Sequence, residues 1–230
     1  MQVGNKYAGF AVAAAAIAWN NAVLPALDRQ LNLGLRGRTA ANAAAGLGAV
    51  AAASAMGCDA DALGFSRAKL GRGLVGGLAA SAVPIAAAFA AYLTPAPRQK
   101  FVERSAPPRP IEWIAVHIPV GTALAEELIF RSALYGLTQR WSPLARTAIR
   151  MGAFGGWHIH PAQVAGDSVP GTVALTGASS ALFDGLRAAT GSVVAPILLH
   201  LAINGSGAAL TVAAKAHAAN TSLSGDAPRE

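Results

Sequence analysis

The stretch "GTALAEELIFRSALYG", residues 121–136, places two adjacent carboxylates and an arginine inside an apolar, helix-forming run. Glu127 and Arg131 stand four positions apart, so on a helix they share a face and can pair, whereas Glu126 points about 100° away. Because a lone charge in the membrane interior costs about 2.5–3.5 kcal/mol on insertion scales, such a residue is a candidate site residue by default. If the surrounding chain lies in lipid, the stretch predicts a membrane helix with one spare carboxylate.

The composition favours lipid as the environment. The 230 residues are 53% hydrophobic and 13% charged, with a mean hydropathy of +0.42, which is about half the charge of an ordinary soluble domain. Nearly uncharged windows reach the ~20 residues that a helix needs to cross a bilayer; they cover residues 7–27, 39–58, 73–97 and, apart from His200, 188–214. A soluble alanine-rich bundle is the alternative, since alanine gives less transfer energy than leucine.

The predicted fold class is therefore all-α, a polytopic membrane helix bundle of about seven or eight transmembrane or half-spanning helices, because open sheet edges cannot face lipid. The predicted location is the cell membrane, as a multi-pass integral protein. Small residues in "AAAGLGAVAAASA", residues 43–55, indicate close helix packing, as do Asn20 and Asn21.

The net charge of +7 does not indicate nucleic acid as a partner. The basic residues fall in short connections between the apolar windows, where the positive-inside effect and anionic lipid headgroups explain them. No nucleic-acid-binding motif accompanies them. The lone Cys58 excludes an internal disulfide framework.

A proline-rich, mixed-charge segment, "TPAPRQKFVERSAPPRP", marks the clearest boundary in the chain. We expect residues 1–110 to form amino-terminal membrane helices followed by this basic connection. Residues 111–216 should form a second membrane bundle, which holds the intramembrane ionisable residues. The polar residues 217–230 are predicted to be a disordered tail.

Two further stretches of the second part carry histidines. In "FGGWHIHP", residues 154–161, His158 follows Phe154 by four positions on one helical face, and the glycines between them allow another backbone to approach. His160 points roughly to the opposite side, and a lone histidine of that kind is structural more often than not. In "PILLHLAING", residues 196–205, His200 and Asn204 present an imidazole and a carboxamide on one apolar face.

Each of these stretches alone could serve only to hydrogen-bond a neighbouring helix. Together they can bring Glu126, His158, His200 and Asn204 into one bundle interior, which is what a water-activating hydrolytic site requires. Of the remaining ionisable residues, His117 is expected to be structural, and Asp184 and Arg187 are expected to mark a loop or a helix end.

The ordered motifs EExxxR, FxxxH and HxxxN, over roughly residues 113–214, resemble the CPBP family of intramembrane proteases. That family includes the type II CAAX prenyl endopeptidases and proteins linked to bacteriocin processing and immunity. The residues that carry the resemblance are Glu126, Glu127, Arg131, Phe154, His158, His200 and Asn204.

The resemblance implies a role for each motif residue. Glu126 would take a proton from water, and His158 would help to hold and polarise that water. Glu127 would pair with Arg131 and brace the site. His200 and Asn204 would stabilise the oxyanion that forms on the scissile carbonyl.

A metal ion is an open alternative. Glu126, His158 and His200 could hold zinc with a water in the remaining position, and members of the family have been described both as metalloproteases and as metal-free glutamate enzymes. The spacing does not decide between them, because no H-E-x-x-H motif is present. Asn204 is a poor zinc ligand, so its assignment to the oxyanion favours the metal-free mechanism, with no cofactor.

The function that the resemblance implies is hydrolysis of a peptide bond in a membrane-associated or lipidated peptide. The expected partners are that peptide or protein substrate and the lipid bilayer. One alternative is a noncatalytic membrane immunity or peptide-binding protein on the same fold. A small transporter or proton relay is another, although its halves should show repeat symmetry, and here the polar groups crowd one half.

Overall fold

The computed structural model describes residues 3–107 and 109–225, and within these ranges the chain forms helices and loops without a strand. The helices are α1 (Val3–Ala18), α2 (Leu24–Leu31), α3 (Gly34–Ala55), α4 (Leu70–Leu93), α5 (Pro95–Val102), α6 (Pro110–Thr138), α7 (Pro143–Trp157), α8 (Ile159–Ala165), α9 (Val169–Thr190) and α10 (Val194–Gly225). A π-helical turn, Trp19–Val23, joins α1 to α2 without a break.

Four segments within the described ranges are long and apolar enough to cross a membrane. They are Tyr7–Leu31, Arg67–Leu93, Pro110–Thr138 and Val194–Thr221. The helix α4 exposes a continuous series of large apolar side chains, including Val75, Leu78 and Val83, and a patch of that extent suits a lipid-facing surface. The prediction of an all-α membrane helix bundle is confirmed.

The helix α6 lies at the centre of the bundle and is the most buried of the four long segments. It contains two π-helical stretches, Trp113–Leu124 and Leu128–Leu134, on either side of the α-helical turn Ala125–Glu127. Every residue from 125 to 134 is buried. Wide π turns occur often at functional sites, and here they flank the two adjacent glutamates.

Glycines set the distance between α6 and its neighbours. A Cβ on Gly46 of α3 would lie 3.0 Å from the carbonyl oxygen of Ala125, next to Glu126. A Cβ on Gly155 of α7 would lie 2.7 Å from the carbonyl oxygen of Val173 on α9. The predicted close packing is therefore confirmed at both stretches, because any larger residue would push two backbones apart.

Three sequence predictions differ from the structure. The proline-rich connection contains a helix, α5, because Pro95 occupies a first-turn position where its missing N–H costs nothing. The window 188–214 is interrupted, since α9 ends at Thr190 and Gly191 takes a left-handed conformation with φ 69°. The tail predicted from residue 217 is helical to Gly225, as a continuation of α10. Residues 226–230 lie outside the described residues.

Candidate active site

The two adjacent glutamates of α6 occupy different environments. Glu127 is fully buried, and its Oε1 accepts a hydrogen bond from Nδ1 of His200 at 2.7 Å. The same oxygen lies 3.4 Å from Nη1 of Arg131. Glu127 is thus paired with Arg131 on its own helix, as the four-residue spacing predicts. It is also paired with the imidazole of His200 on α10.

Glu126 is also buried, but the side chains around its carboxylate differ from those around Glu127. Within the described residues, its Oε2 atom is shielded from solvent and has no hydrogen-bond partner. The Nε2 atoms of His158 and His200 lie 3.9 Å and 4.0 Å from this oxygen. These separations are too long for direct hydrogen bonds and suit contacts through a bridging water.

Both imidazoles turn the same ring nitrogen towards Glu126. Nδ1 of His158 lies 2.8 Å from the carbonyl oxygen of Phe154, which can only accept, so Nδ1 carries a hydrogen. Nδ1 of His200 is likewise engaged with Glu127. In each ring Nε2 is therefore the nitrogen left for chemistry, and α6, α10 and the junction between α7 and α8 each contribute one group.

Local backbone explains how His158 reaches this position. The helix α7 ends at Trp157 and α8 begins at Ile159, so His158 sits at the junction. The FxxxH spacing predicts that His158 and Phe154 share a face, and the two rings do pack edge to face with centroids 4.9 Å apart. The junction frees the histidine side chain from the regular helix and directs it towards α6.

Asn204, His160 and His117 make no direct hydrogen bond to this group within the described residues. Asn204 is half-buried one turn after His200, and no hydrogen bond among the described residues joins it to the glutamates or imidazoles. His160 contributes its backbone N–H to the Oδ1 atom of Asn21. His117 is buried near the start of α6, where its Nδ1 lies 2.6 Å from Oγ1 of Thr39.

Aromatic rings surround the charged atoms. The guanidinium of Arg131 lies 4.0 Å from the ring centroid of Phe154 and 4.7 Å from that of Phe183. The ring of Phe183 also packs against His200, with centroids 5.3 Å apart. Such a wall lowers the local dielectric and strengthens each electrostatic contact inside it.

A polar group behind Arg131 is not anticipated by the motifs. Nη2 of Arg131 donates to Oγ of Ser180 at 3.1 Å, and Nε lies 3.6 Å from Oδ1 of Asp184. Oδ2 of Asp184 lies 3.5 Å from Nη1 of Arg150. Arg187 does lie in the last turn of α9, as expected, but Asp184 is inside that helix and faces α6. The signal that could have found it is its presence as an ionisable residue in a membrane chain.

Two asparagines from the amino-terminal part complete the surroundings of His158. Nδ2 of Asn20 donates to the carbonyl of Trp157 at 2.8 Å, and Nδ2 of Asn21 donates to that of Gly156 at 2.8 Å. Oδ1 of Asn21 accepts from the N–H of His160 at 2.6 Å. These bonds add side-chain partners for backbone groups at the junction between α7 and α8, where the regular helical hydrogen bonds are interrupted.

The three candidate metal ligands are spaced slightly more widely than the ligands of a bound zinc ion. Zinc ligands at 2.0–2.2 Å in a tetrahedron lie only ~3.3–3.6 Å from each other, whereas both imidazoles are 3.9 Å or more from Glu126. Within the described part of the chain, no group of three histidine, cysteine or acidic side chains is placed to hold a metal. The spacing is better suited to a water molecule than to direct coordination.

Comparison with known proteins agrees with the motif analysis. Residues 108–206 match the family model described as type II CAAX prenyl endopeptidase Rce1-like. The match covers just under half of the chain and includes every motif residue from Glu126 to Asn204. It confirms the predicted resemblance over this segment and supports a CAAX-protease type of function in general. No curated protein and no solved structure matches the chain.

Proposed function

We propose, from the family match and the geometry around Glu126, that the protein is an intramembrane endopeptidase. It hydrolyses a peptide bond of a membrane-associated or lipidated peptide with a water molecule that Glu126 and His158 activate. The observation that carries the proposal is the buried Oε2 atom of Glu126, which has no hydrogen-bond partner among the residues that the structure describes and faces the Nε2 atoms of two imidazoles.

The way in which water is activated follows from which ring nitrogen of His158 carries the hydrogen. Because its Nδ1 donates to the Phe154 carbonyl, Nε2 in the neutral ring offers a lone pair and can accept a hydrogen bond from water. The carboxylate of Glu126 accepts the other proton of that water. Transfer of this proton to Glu126 leaves the hydroxide oxygen free to attack the scissile carbonyl, and the protonated Glu126 can later give the proton to the leaving amine.

Stabilisation of the oxyanion falls to α10. Nδ1 of His200 is already committed to Glu127, so a hydrogen on Nε2 makes the ring a cation, and the carboxylate of Glu127 supplies its counter-charge. The carboxamide of Asn204, one turn further along α10, adds a neutral donor. Donors fixed in advance in a dry site stabilise developing charge without reorganisation.

The direct test replaces Glu126 by glutamine, which keeps the shape of the side chain and removes the base. The substrate is an internally quenched fluorescent peptide with a prenylated cysteine near its carboxy terminus, presented to the purified protein in liposomes. We expect kcat to fall by about 10²–10⁴-fold, the usual contribution of a general base. Binding of the peptide, measured by fluorescence anisotropy, should be retained.

The matched control is Glu112→Gln, an acid-to-amide change near the start of the same helix. It should cleave the peptide like the wild type, since Glu112 lies away from the group around Glu126. Wild-type protein that binds the peptide but cleaves it no faster than the Glu126→Gln variant contradicts the protease proposal. That result favours a noncatalytic peptide-binding protein instead.

A further inference from the structure

We infer that Asp184 is a positioning residue of this site, which holds Arg131 from the side opposite Glu127 and so keeps Glu127 available to His200. The inference rests on the proposed function, because it assigns Asp184 a part in the same reaction. Asp184 belongs to none of the three motifs, and it reaches the site from α9, a helix that carries no motif residue.

Arg131 lies between two acids. Its side chain has no solvent exposure, and its Nη1 and Nε atoms lie 3.4 Å from Glu127 and 3.6 Å from Asp184. Nε has no hydrogen-bond partner within the described residues, so the contact with Asp184 is ionic. A buried guanidinium without sufficient counter-charge is strongly destabilising, so Arg131 must remain close to both carboxylates.

His200 and Arg131 both contact the same oxygen of Glu127. Oε1 of Glu127 lies 2.7 Å from His200 but 3.4 Å from Arg131, so the shorter and stronger bond goes to the imidazole. Without Asp184, Glu127 would be the principal counter-ion of Arg131 and would be drawn into a closer, bidentate contact with it. The hydrogen bond that orients His200 would then weaken, and Nε2 would lose its direction towards Glu126.

Asp184 is itself held in place by Arg150. Oδ2 of Asp184 pairs with Arg150, whose Nε donates to Oγ1 of Thr138 at 2.8 Å and whose Nη2 donates to the carbonyl of Tyr135 at 2.9 Å. The guanidinium of Arg150 also stacks 3.9 Å from the ring centroid of Tyr135. Thr138 and Tyr135 belong to α6, so Arg150 fixes Asp184 relative to the helix that carries both glutamates.

The experiment measures kcat and KM of Asp184→Asn on the quenched prenylated peptide in liposomes. We expect kcat to fall by about 10–100-fold, the range found when outer partners that support a functional site are removed. KM should stay within twofold of the wild type, because Asp184 does not touch the peptide. Asp184→Glu, which restores the charge, should recover most of kcat. The exposed Asp167, replaced by asparagine, is the matched control and should change neither constant.

A second variant separates positioning from folding. Asp184→Asn leaves Arg150 with a surplus charge and can reduce the yield of folded protein, so the double variant Asp184→Asn/Arg150→Met removes one charge of each sign. The double variant should fold like the wild type, as judged by its melting temperature, and should still show the lowered kcat. A wild-type kcat in either variant overturns the inference. A rise in KM as large as the fall in kcat overturns it as well.

Failure of the proposed function gives a different result. Wild-type protein without any cleavage that depends on Glu126 overturns the protease proposal and the role of Asp184 with it. Cleavage that depends on Glu126 but not on Asp184 overturns the role of Asp184 alone and leaves the protease proposal standing.

Discussion

The helix α6 carries two acid–histidine groups, one near its start and one at its centre, and they differ in how far the acid is satisfied. Near the start, Glu112 contacts Arg36 at 2.6 Å, Arg109 at 3.4 Å and His117 at 3.3 Å. At the centre, Glu126 faces two imidazoles and leaves Oε2 without a hydrogen bond within the described residues. The same residue types therefore give an acid with three charged or imidazole partners in one place and an acid with one oxygen free of hydrogen bonds, among the described residues, in the other.

The surroundings of the two groups explain this difference. The side chains of Arg36 and Arg109 are 76% and 66% exposed, so they can move to meet Glu112, and water screens what they leave unpaired. The central group is enclosed, and its arginine is committed to Glu127 and Asp184. Glu126 therefore faces imidazoles rather than the buried arginine, which is held by the two other acids.

Of the substitutions in the two groups, we expect Glu127→Gln to change the protein most. It removes one half of a fully buried ion pair, for which the cost is about 3–5 kcal/mol of unfolding free energy, and it takes the counter-charge from His200. We expect a lower melting temperature in detergent and a strong loss of peptide cleavage.

The matched change for that prediction is again Glu112→Gln, because it exchanges the same atoms in the other group. If Glu127→Gln melts at the wild-type temperature and cleaves at the wild-type rate, the two groups are energetically equivalent and the comparison fails.

A smaller effect is expected from Gly155→Ala. The added methyl group would meet the carbonyl oxygen of Val173 at 2.7 Å, and overpacking of this kind costs about 1–3 kcal/mol. The shift of α7 should displace His158, three positions along the chain, and lower kcat. Gly152, on the same helix, has open space around it, so Gly152→Ala is the control.

Thermal unfolding and turnover of the two alanine variants can be measured side by side. Equal melting temperatures for Gly155→Ala and Gly152→Ala would show that the enclosed group tolerates a wider spacing between α7 and α9. The group around Glu126 would then depend on helix packing no more than the group around Glu112 does.

The smallest effect is expected from Glu112→Gln considered by itself. The two arginines that pair with Glu112 are largely exposed, and ion pairs with exposed partners contribute little to stability because water and salt screen them. Glu112 also lies far from the oxygen proposed to act as base. Melting temperature and kcat should match the wild type within error. A loss of turnover as large as that of Glu127→Gln would mean that both ends of α6 take part in the reaction.

Much of this arrangement is predictable from sequence because membrane helices report their polar positions clearly. The spacings EExxxR, FxxxH and HxxxN each place side chains on one face, and the structure does bring Glu126, His158 and His200 together. The partners of Asp184 cannot be found in that way. Its contacts come from Arg131 and Arg150, which lie on other helices, and spacing along one helix gives no information about them.

Other features escape the sequence for local reasons. Prolines mark α5 as a break, although Pro95 begins a helix there. Polar residues mark the chain after 216 as a tail, although α10 continues to Gly225. Composition describes the solvent that a segment prefers, whereas the end of a helix depends on caps and neighbours that a single stretch does not contain.

The bonds from Asn20 and Asn21 to the junction between α7 and α8 have a practical consequence for truncation. Both asparagines precede the segment that matches the family model, and yet they satisfy the carbonyls of Gly156 and Trp157. A fragment cut to residues 108–206 would lose both of these bonds beside His158. We expect such a minimal fragment to cleave the peptide more slowly than the full chain even with every motif intact, and we expect residues 3–31, supplied as a separate peptide that includes both asparagines, to restore part of the turnover.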